Sequence, residues 1–274
     1  FLFSLKEFLD KDSYQSIKIL NKKINFYIPN LTIEWRVKTF FTKEPETLKW
    51  IDGFNKNDRI ILWDIGANIG LYSIYAALKH DNCEIVSFEP STSNLRTLSR
   101  NISINNLENK IKIFTNPLSN KTDGFLKMKE GNFLEGGALN VFGELFNFEG
   151  KDFKSEMNYQ LLGKSINSIL DNKTLEMPSY IKIDVDGIEH LILEGGNRYL
   201  NNEKLLSLSV EINENFKDQQ ATVAEELRKL DSELTQKKVY NLIRLAFSHH
   251  DLNMQMEHAN GTRKPFGHNS LVKL

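Results

Sequence analysis

Residues 59–70 constrain this chain more than any other stretch. Arg59-Ile60-Ile61-Leu62-Trp63-Asp64-Ile65 is a nearly unbroken apolar run, with the length and composition of a strand buried on both faces. It passes directly into Gly66-Ala67-Asn68-Ile69-Gly70, after which Leu71, Ile74, Tyr75 and Leu78 recur at helical spacing. A buried strand that turns at once into a helix is the opening of a βαβ unit. Gly66 and Gly70 allow a sharp turn and a close approach of backbone to ligand. In a doubly wound sheet this is where ligands sit, in the crevice beyond the carboxyl ends of the strands.

The same alternation continues downstream. Glu84–Glu89 reads as a second strand, stopped by Pro90 and Ser91, which open a helix to about Asn105 with Leu95, Leu98 and Ile102 on one face. Lys110–Phe114, Tyr180–Val185 and Leu205–Ile212 are the third, fourth and fifth strands. Helices are expected over Ile188–Tyr199 and Thr222–Leu230, and Val239–Leu245 and Ser270–Leu274 are placed at a sheet edge. Strands separated by helices predict an α/β chain, Rossmann-like, with a mostly parallel seven-stranded sheet and helices on both faces. Residues 1–56 read as an N-terminal extension: a hairpin (Ile17–Leu20, Ile24–Ile28) and two helices, the second opened by Glu44-Pro45-Glu46. Residues 57–274 form the main domain. Within it, residues 119–165 hold Phe133, Phe142, Phe146, Phe148 and Phe153 without a clear period. That is long for a bare loop and is read as a lid or substrate-binding insertion, or as a contact between copies of the chain, since aromatics are enriched in interface cores.

Bulk composition excludes several classes. Lys+Arg is 35 against Asp+Glu 36, which is not the basic balance of a domain that binds nucleic acid by bulk electrostatics. Cys83 is the single cysteine, so no internal disulfide forms, and a cytoplasmic setting is expected. No run approaches the roughly 18–20 apolar residues of a membrane helix. Phe1-Leu2-Phe3 is followed too soon by Lys6, Glu7 and Asp10 for a signal-peptide core. The first residue is not Met, as in a trimmed chain or a piece of a longer one.

The glycine turn indicates which ligand. A nicotinamide-binding fingerprint needs Gly-x-Gly-x-x-Gly, but Asn68 and Leu71 stand where the second and third glycines belong. A carboxylate at Asp64 disfavours a pyrophosphate and suits a cation. S-adenosylmethionine carries an ammonium and a sulfonium and no phosphate. Glu89 ends the second strand about twenty residues beyond the turn, where an acidic side chain accepts hydrogen bonds from both ribose hydroxyls. Gly66, Ala67, Asn68 and Gly70 of the turn, together with Asp64, Glu89 and Pro90, are therefore the cofactor-binding candidates. Asn116, just past the third strand, is a candidate for the adenine edge.

Asp64–Gly70, Phe88-Glu89-Pro90 and Ile181-Lys182-Ile183-Asp184-Val185-Asp186-Gly187-Ile188-Glu189 together resemble the FkbM family of methyltransferases. The Asp-Val-acidic-Gly-x-Glu segment is the most family-specific piece. The resemblance runs from about Glu44, where Glu44-Pro45-Glu46 is similar to the family's acidic-Pro-acidic stretch, to the C-terminus. It implies a Rossmann-like O-methyltransferase acting on hydroxyls of sugars, glycans, polyketides or other secondary metabolites. The family more often has Glu where this chain has Asp186; the charge is kept and the reach is shorter.

Methyl transfer to oxygen requires the hydroxyl to lie opposite the sulfonium, about 3 Å from the methyl carbon. It also requires a base, or a metal ion, to take the hydroxyl's proton. Asp184 and Asp186 lie at the end of the fourth strand on one face, and Asp186 is read as the candidate base. Glu189 follows in the first turn of the next helix and Glu211 ends the fifth strand, completing the catalytic candidates. Asp184, Glu211 and Asn213 also offer oxygen ligands for Mg²⁺. His190 and Cys83 read as structural, while His249, His250 and His268 fall near later strands. Two rival readings stand beside the enzyme: a cofactor-binding scaffold without turnover that serves in an assembly, and an NAD-dependent oxidoreductase.

Overall fold

A computed structural model describes residues 2–11, 13–121, 123–131, 133–138, 140–144, 155–185, 187–213, 239–245 and 271–272. The chain begins with α1 (Leu2–Lys11), the hairpin β1 (Tyr14–Ile19) and β2 (Lys22–Tyr27), then α2 (Leu31–Lys43) and α3 (Pro45–Asp52). The alternating part runs β3 (Ile60–Ile65), α4 (Leu71–Lys79), β4 (Cys83–Phe88), α5 (Thr92–Ser103) and β5 (Ile111–Phe114). Next come β6 (Phe125–Glu130), β7 (Val141–Phe142), β8 (Met157–Leu162) and α6 (Ile166–Asp171). Last are β9 (Tyr180–Ile183), α7 (Glu189–Glu194), β10 (Ser207–Asn213), β11 (Val239–Leu245) and β12 (Leu271–Val272).

The main sheet is ordered β12-β11-β10-β9-β3-β4-β5. Its pairings are parallel from β11 through to β5, and β12 pairs antiparallel with β11 at the edge. β3 explains why the strands read as continuous apolar runs. Ile60 and Leu62 enter one core with Ile33, Phe40, Ile51, Ile74 and Leu98, from α2, α3, α4 and α5. Ile61, Trp63 and Ile65 enter a second core with Ile166 and Ile169 of α6 and Ile192 and Leu193 of α7. Both faces are covered, so both sets of alternating side chains are apolar apart from Asp64.

The hairpin shares the first core through Ile19, Ile24 and Phe26. Asn101 of α5 ties it to the glycine turn: its Oδ1 accepts from Tyr27 N at 2.9 Å and its Nδ2 donates to Ile69 O at 3.0 Å. Local caps start the helices where the sequence places them. Asn30 caps α2, Pro45 takes the first turn of α3, and Ser91 caps α5.

Three features depart from the sequence reading. α1 and α6 were not expected. The stretch without a period holds a three-stranded antiparallel sheet ordered β7-β6-β8. Its pattern was hidden because hydrophobicity and burial disagree there: Phe125 is exposed, while Glu130 is fully buried and bonded by Ser93 and Tyr159. The helix expected over Ile188–Tyr199 is cut to α7 by Gly195 and Gly196; a Cβ on Gly195 would lie 2.3 Å from Ser119 O. The helix expected over Thr222–Leu230 lies outside the described residues. Among those described, no helix is long and apolar enough to cross a membrane.

Candidate functional site

The turn after β3 is shaped by the strand beside it. Gly66 has φ +85°, and a Cβ there would lie 1.8 Å from the carbonyl oxygen of Asp184 at the end of β9. Only glycine lets the two strand ends meet this closely. Gly66 N and Ala67 N donate to Phe88 O, both at 3.0 Å, and Gly70 enters α4 in the left-handed region at φ +87°. N–H groups of this turn and of the start of α5 face Glu89: Asn68 N donates to its Oε2 at 2.7 Å and Ser91 N to its Oε1 at 2.9 Å. Burial raises the Glu89 carboxyl to about 7, against the pull of these N–H donors.

A cleft of about 610 Å³, counting the space it shares with open solvent, opens at this edge of the sheet. Gly66, Asn68, Glu89, Pro90 and Asn116 line it, as do Asp184 and Val185 from beyond β9. Met128 and Phe142 of the small sheet form an apolar wall. Residues 135–137 lie across the cleft, held by Asn68 Nδ2 to Gly137 O at 2.8 Å, Gly136 N to Asn94 Oδ1 at 2.8 Å, and Arg36 Nε to Gly136 O at 2.7 Å. Asn68 Oδ1 is buried with no partner among the described residues. The described lining contains two carboxylates, Glu89 and Asp184, and neither Lys nor Arg.

The remaining cofactor candidates lie behind the cleft wall. Ala67 belongs to the first core, and Gly70 faces Leu98. Asp64 is 1% exposed. Its Oδ2 accepts from Ser73 Oγ at 2.6 Å, and Lys182 Nζ lies 3.9 Å from its Oδ1. The carboxyl groups facing the cleft are therefore Asp184 and Glu89; Asp64 lies behind the wall, where burial raises its carboxyl against the pull of Lys182 and Ser73.

Lys182, a charged residue inside the apolar β9, is the centre of the second half of the site. Its Nζ bonds Asp184 Oδ2 at 2.5 Å and lies 5.0 Å from the centre of the Tyr72 ring. Burial alone would lower the Lys182 ammonium; Asp184, Asp64 and Glu44 outweigh it and hold it above the usual lysine range. Burial likewise pushes Asp184 up, but Lys182 outweighs it and keeps Asp184 ionised well below the usual carboxylate range. Glu211, half-buried and hydrogen-bonded to Asp184, is driven well above the usual carboxylate range by desolvation and by the Asp184 charge. Glu44, at the junction of α2 and α3, is 4% exposed; it accepts from Tyr72 Oη at 2.8 Å and pairs with Lys43 at 3.0 Å.

Of the catalytic candidates, Asp184 and Glu211 are brought together, along a small chamber lined also by Glu44, Thr47, Lys182 and Ser209. Asp184 belongs to both chamber and cleft. Glu189 lines neither; its carboxylate accepts from Val185 N at 3.2 Å and Gly187 N at 3.1 Å, shaping the loop after β9. Asp186, His249, His250 and His268 lie outside the described residues. The Mg²⁺ reading is not supported. Asp184 is taken by the Lys182 ammonium, which already supplies positive charge there. No group of three or more His, Cys, Asp or Glu among the described residues is arranged to hold a metal. Sequence reasoning passed over Lys182, Glu44 and Tyr72. The legible signal was Lys182 itself, because a lysine within an apolar strand is rarely buried without a partner.

A parallel sheet carrying a glycine turn, a strand-end glutamate and a crevice at its carboxyl edge defines the class of α/β proteins that bind nucleoside-containing ligands. Residues 64–260 match the FkbM methyltransferase domain, and the chain belongs to that family. The methyltransferase sdnD of Sordaria araneosa is 28% identical over 176 residues, which cover 57% of this chain and 68% of the relative. Among solved structures, the methyltransferase FkbM of Methylobacillus flagellatus aligns with 88% of this chain and 55% of its own at 14% identity, with a TM-score of 0.43. The SAH-bound methyltransferase PaMTH1 of Podospora anserina aligns over 90% and 91% at 12% identity, with a TM-score of 0.39.

Proposed function

We propose that this protein is an S-adenosylmethionine-dependent O-methyltransferase whose acceptor is a hydroxyl of a sugar, glycan or secondary metabolite. The observation that carries the reading is the charge of the cleft, whose described lining offers carboxylates and no basic side chain. Such a wall repels a diphosphate and accommodates a ligand that carries positive charge. When bound, S-adenosylmethionine supplies an electrophilic methyl group on a sulfonium that leaves as a neutral thioether. Ionised Glu89 accepts hydrogen bonds from the ribose hydroxyls, Asn68 Oδ1 offers a further acceptor, and Asn116 meets the adenine edge. Asp64, through Lys182, holds Asp184 in place. The carboxylate of Asp184, at the join of cleft and chamber and held by Lys182, orients the acceptor hydroxyl by accepting its hydrogen bond, and the proton-taking role falls to Asp186. Glu189 accepts hydrogen bonds from Val185 N and Gly187 N, fixing the backbone on either side of that position.

Calorimetric titration with S-adenosylhomocysteine and with NAD tests the cofactor half; binding of NAD alone overturns the assignment. For the chemical half, Asp184→Asn and Asp186→Asn are compared in a methyl-transfer assay over a pool of hydroxyl acceptors. The expected result for a residue in the proton-taking role is a large loss of turnover with S-adenosylhomocysteine affinity retained. Equal losses of turnover and affinity remove that role.

A further inference from the structure

Charge is spread unevenly over a chain that is close to neutral overall, with Lys+Arg 35 against Asp+Glu 36. Residues 13–33 carry Lys18, Lys22 and Lys23, residues 90–107 carry Arg96 and Arg100, and neither stretch contains an acidic residue. The fold sets the two stretches side by side: Tyr27 N of β2 donates to Asn101 Oδ1 at 2.9 Å, and Asn25 N to Asn105 Oδ1, just past α5, at 3.0 Å. One face of the hairpin enters the first core. On the other, Lys18 stands directly opposite Lys23, and further along the same face Arg100 and Arg96 lie 4.1 Å and 5.8 Å from the centre of the Tyr27 ring. Like charges opposite one another on paired strands, or four apart on a helix, are both unfavourable, and this face carries one of each. The hairpin closes through Leu20 and Asn21, left-handed at φ +48° and +67°. Asn is ordinary in such a turn and leucine is not, yet Leu20 stands there, 38% exposed, beside Lys22 and Lys23. At the other end of the hairpin, α1 leaves Leu2, Leu5 and Phe8, an apolar row at a spacing of three, exposed.

We infer that the hairpin and α5 form a docking face for an anionic membrane surface, with the basic side chains on lipid headgroups and Leu20 and the apolar row of α1 in the headgroup boundary. Charge complementarity selects a negative partner. The exposed apolar groups select lipid over a soluble polyanion, because a charged polymer would satisfy the lysines and leave Leu20 and α1 in water. A neutral apolar partner would do the reverse and strand the lysines. Basic and apolar groups together match the bilayer interface, where a protein attaches without spanning. The face reaches the cleft: Arg96 pairs at 3.0 Å with Glu135, whose neighbour Gly137 lines it. The inference goes beyond methyl transfer and is independent of which acceptor is methylated.

The test is co-sedimentation of the full chain with vesicles of phosphatidylcholine alone and of phosphatidylcholine mixed with phosphatidylglycerol. The chain is expected to sediment with the anionic vesicles and not the neutral ones, and to be released as salt is raised. Lys18→Gln and Lys23→Gln should each weaken vesicle binding roughly fivefold, the effect of one basic side chain near a charged surface. Leu20→Asn separates docking from folding: it relieves the turn, so Tm should hold or rise while vesicle binding weakens. Phe8→Ser should likewise weaken binding with Tm held, since Phe8 is 65% exposed. Equal binding to both vesicle types, no binding to the anionic ones, or full binding by the lysine variants overturns the assignment. Dextran sulfate stands for the soluble alternative: if it binds while anionic vesicles do not, or if Leu20→Asn and Phe8→Ser leave vesicle binding unchanged, the face recognises charge alone and the membrane reading falls.

Discussion

Replacing Lys182 by Met tests the ion network most directly. Lys182 sits between Ile181 and Ile183, both fully buried, and is itself 4% exposed. The substitution keeps an unbranched chain of similar length and removes only the charge. Asp64, 3.9 Å away, and Asp184, 2.5 Å away, are then left buried without that cation. Breaking a buried pair in this way costs about 3–5 kcal/mol. At roughly 2–4 °C per kcal/mol for a chain of this order of size, Tm should fall by about 10 °C. The pH dependence separates charge from packing. Asp184 is depressed in the folded protein, so its contribution is present above the unfolded value of about 4 and is lost as pH falls. Lys182 is raised, so its contribution is present below about 10.4 and is lost as pH rises past that. In Lys182→Met the two carboxyls, buried without their cation, gain protons more readily, and the deficit relative to wild type should shrink as pH falls below about 5. Urea midpoints measured across about pH 4 to 8 report this. A deficit that stays constant over that range would refute the electrostatic account and assign the loss to packing.

Three further outcomes are expected. Because burial raises Glu89 to about 7, its ionised form destabilises the fold above that value and is relieved as pH falls. S-adenosylhomocysteine affinity should run the opposite way, weakening as pH drops through 7, and calorimetry on Glu89→Gln should find weaker binding with the pH dependence gone. Gly66→Ala puts a methyl group against the Asp184 carbonyl at a positive φ and should cost at least about 3 kcal/mol by denaturant titration. Gly70→Ala should cost less, since its nearest obstacle is the mobile end of the Leu98 side chain. Asn101→Ala strands Tyr27 N and Ile69 O; a loss of about 2–3 kcal/mol is expected, with faster hydrogen exchange at Tyr27 as the local readout.

Much of this protein is written in local pattern. The apolar runs of β3, β4 and β9, the helical spacing after Gly70, Pro45 at the start of α3 and the Gly66–Gly70 turn each follow from interactions between residues close in sequence. The chain's place in the FkbM methyltransferase family rests on the same short motifs. So does the gathering of Glu89 and Asp184 at one edge, because every strand of a parallel sheet ends on the same side. Charge compensation is not local. Asp64 is a cofactor ligand by sequence, yet in the fold it is matched by Lys182, 118 positions further along. Glu44 reads as the opening of a helix and Thr47 as one of its residues; only packing carries them to Ser209 and Glu211. The ionisation of a side chain depends on what surrounds it in space, and those neighbours are chosen by the sheet order, which no single segment of the sequence contains.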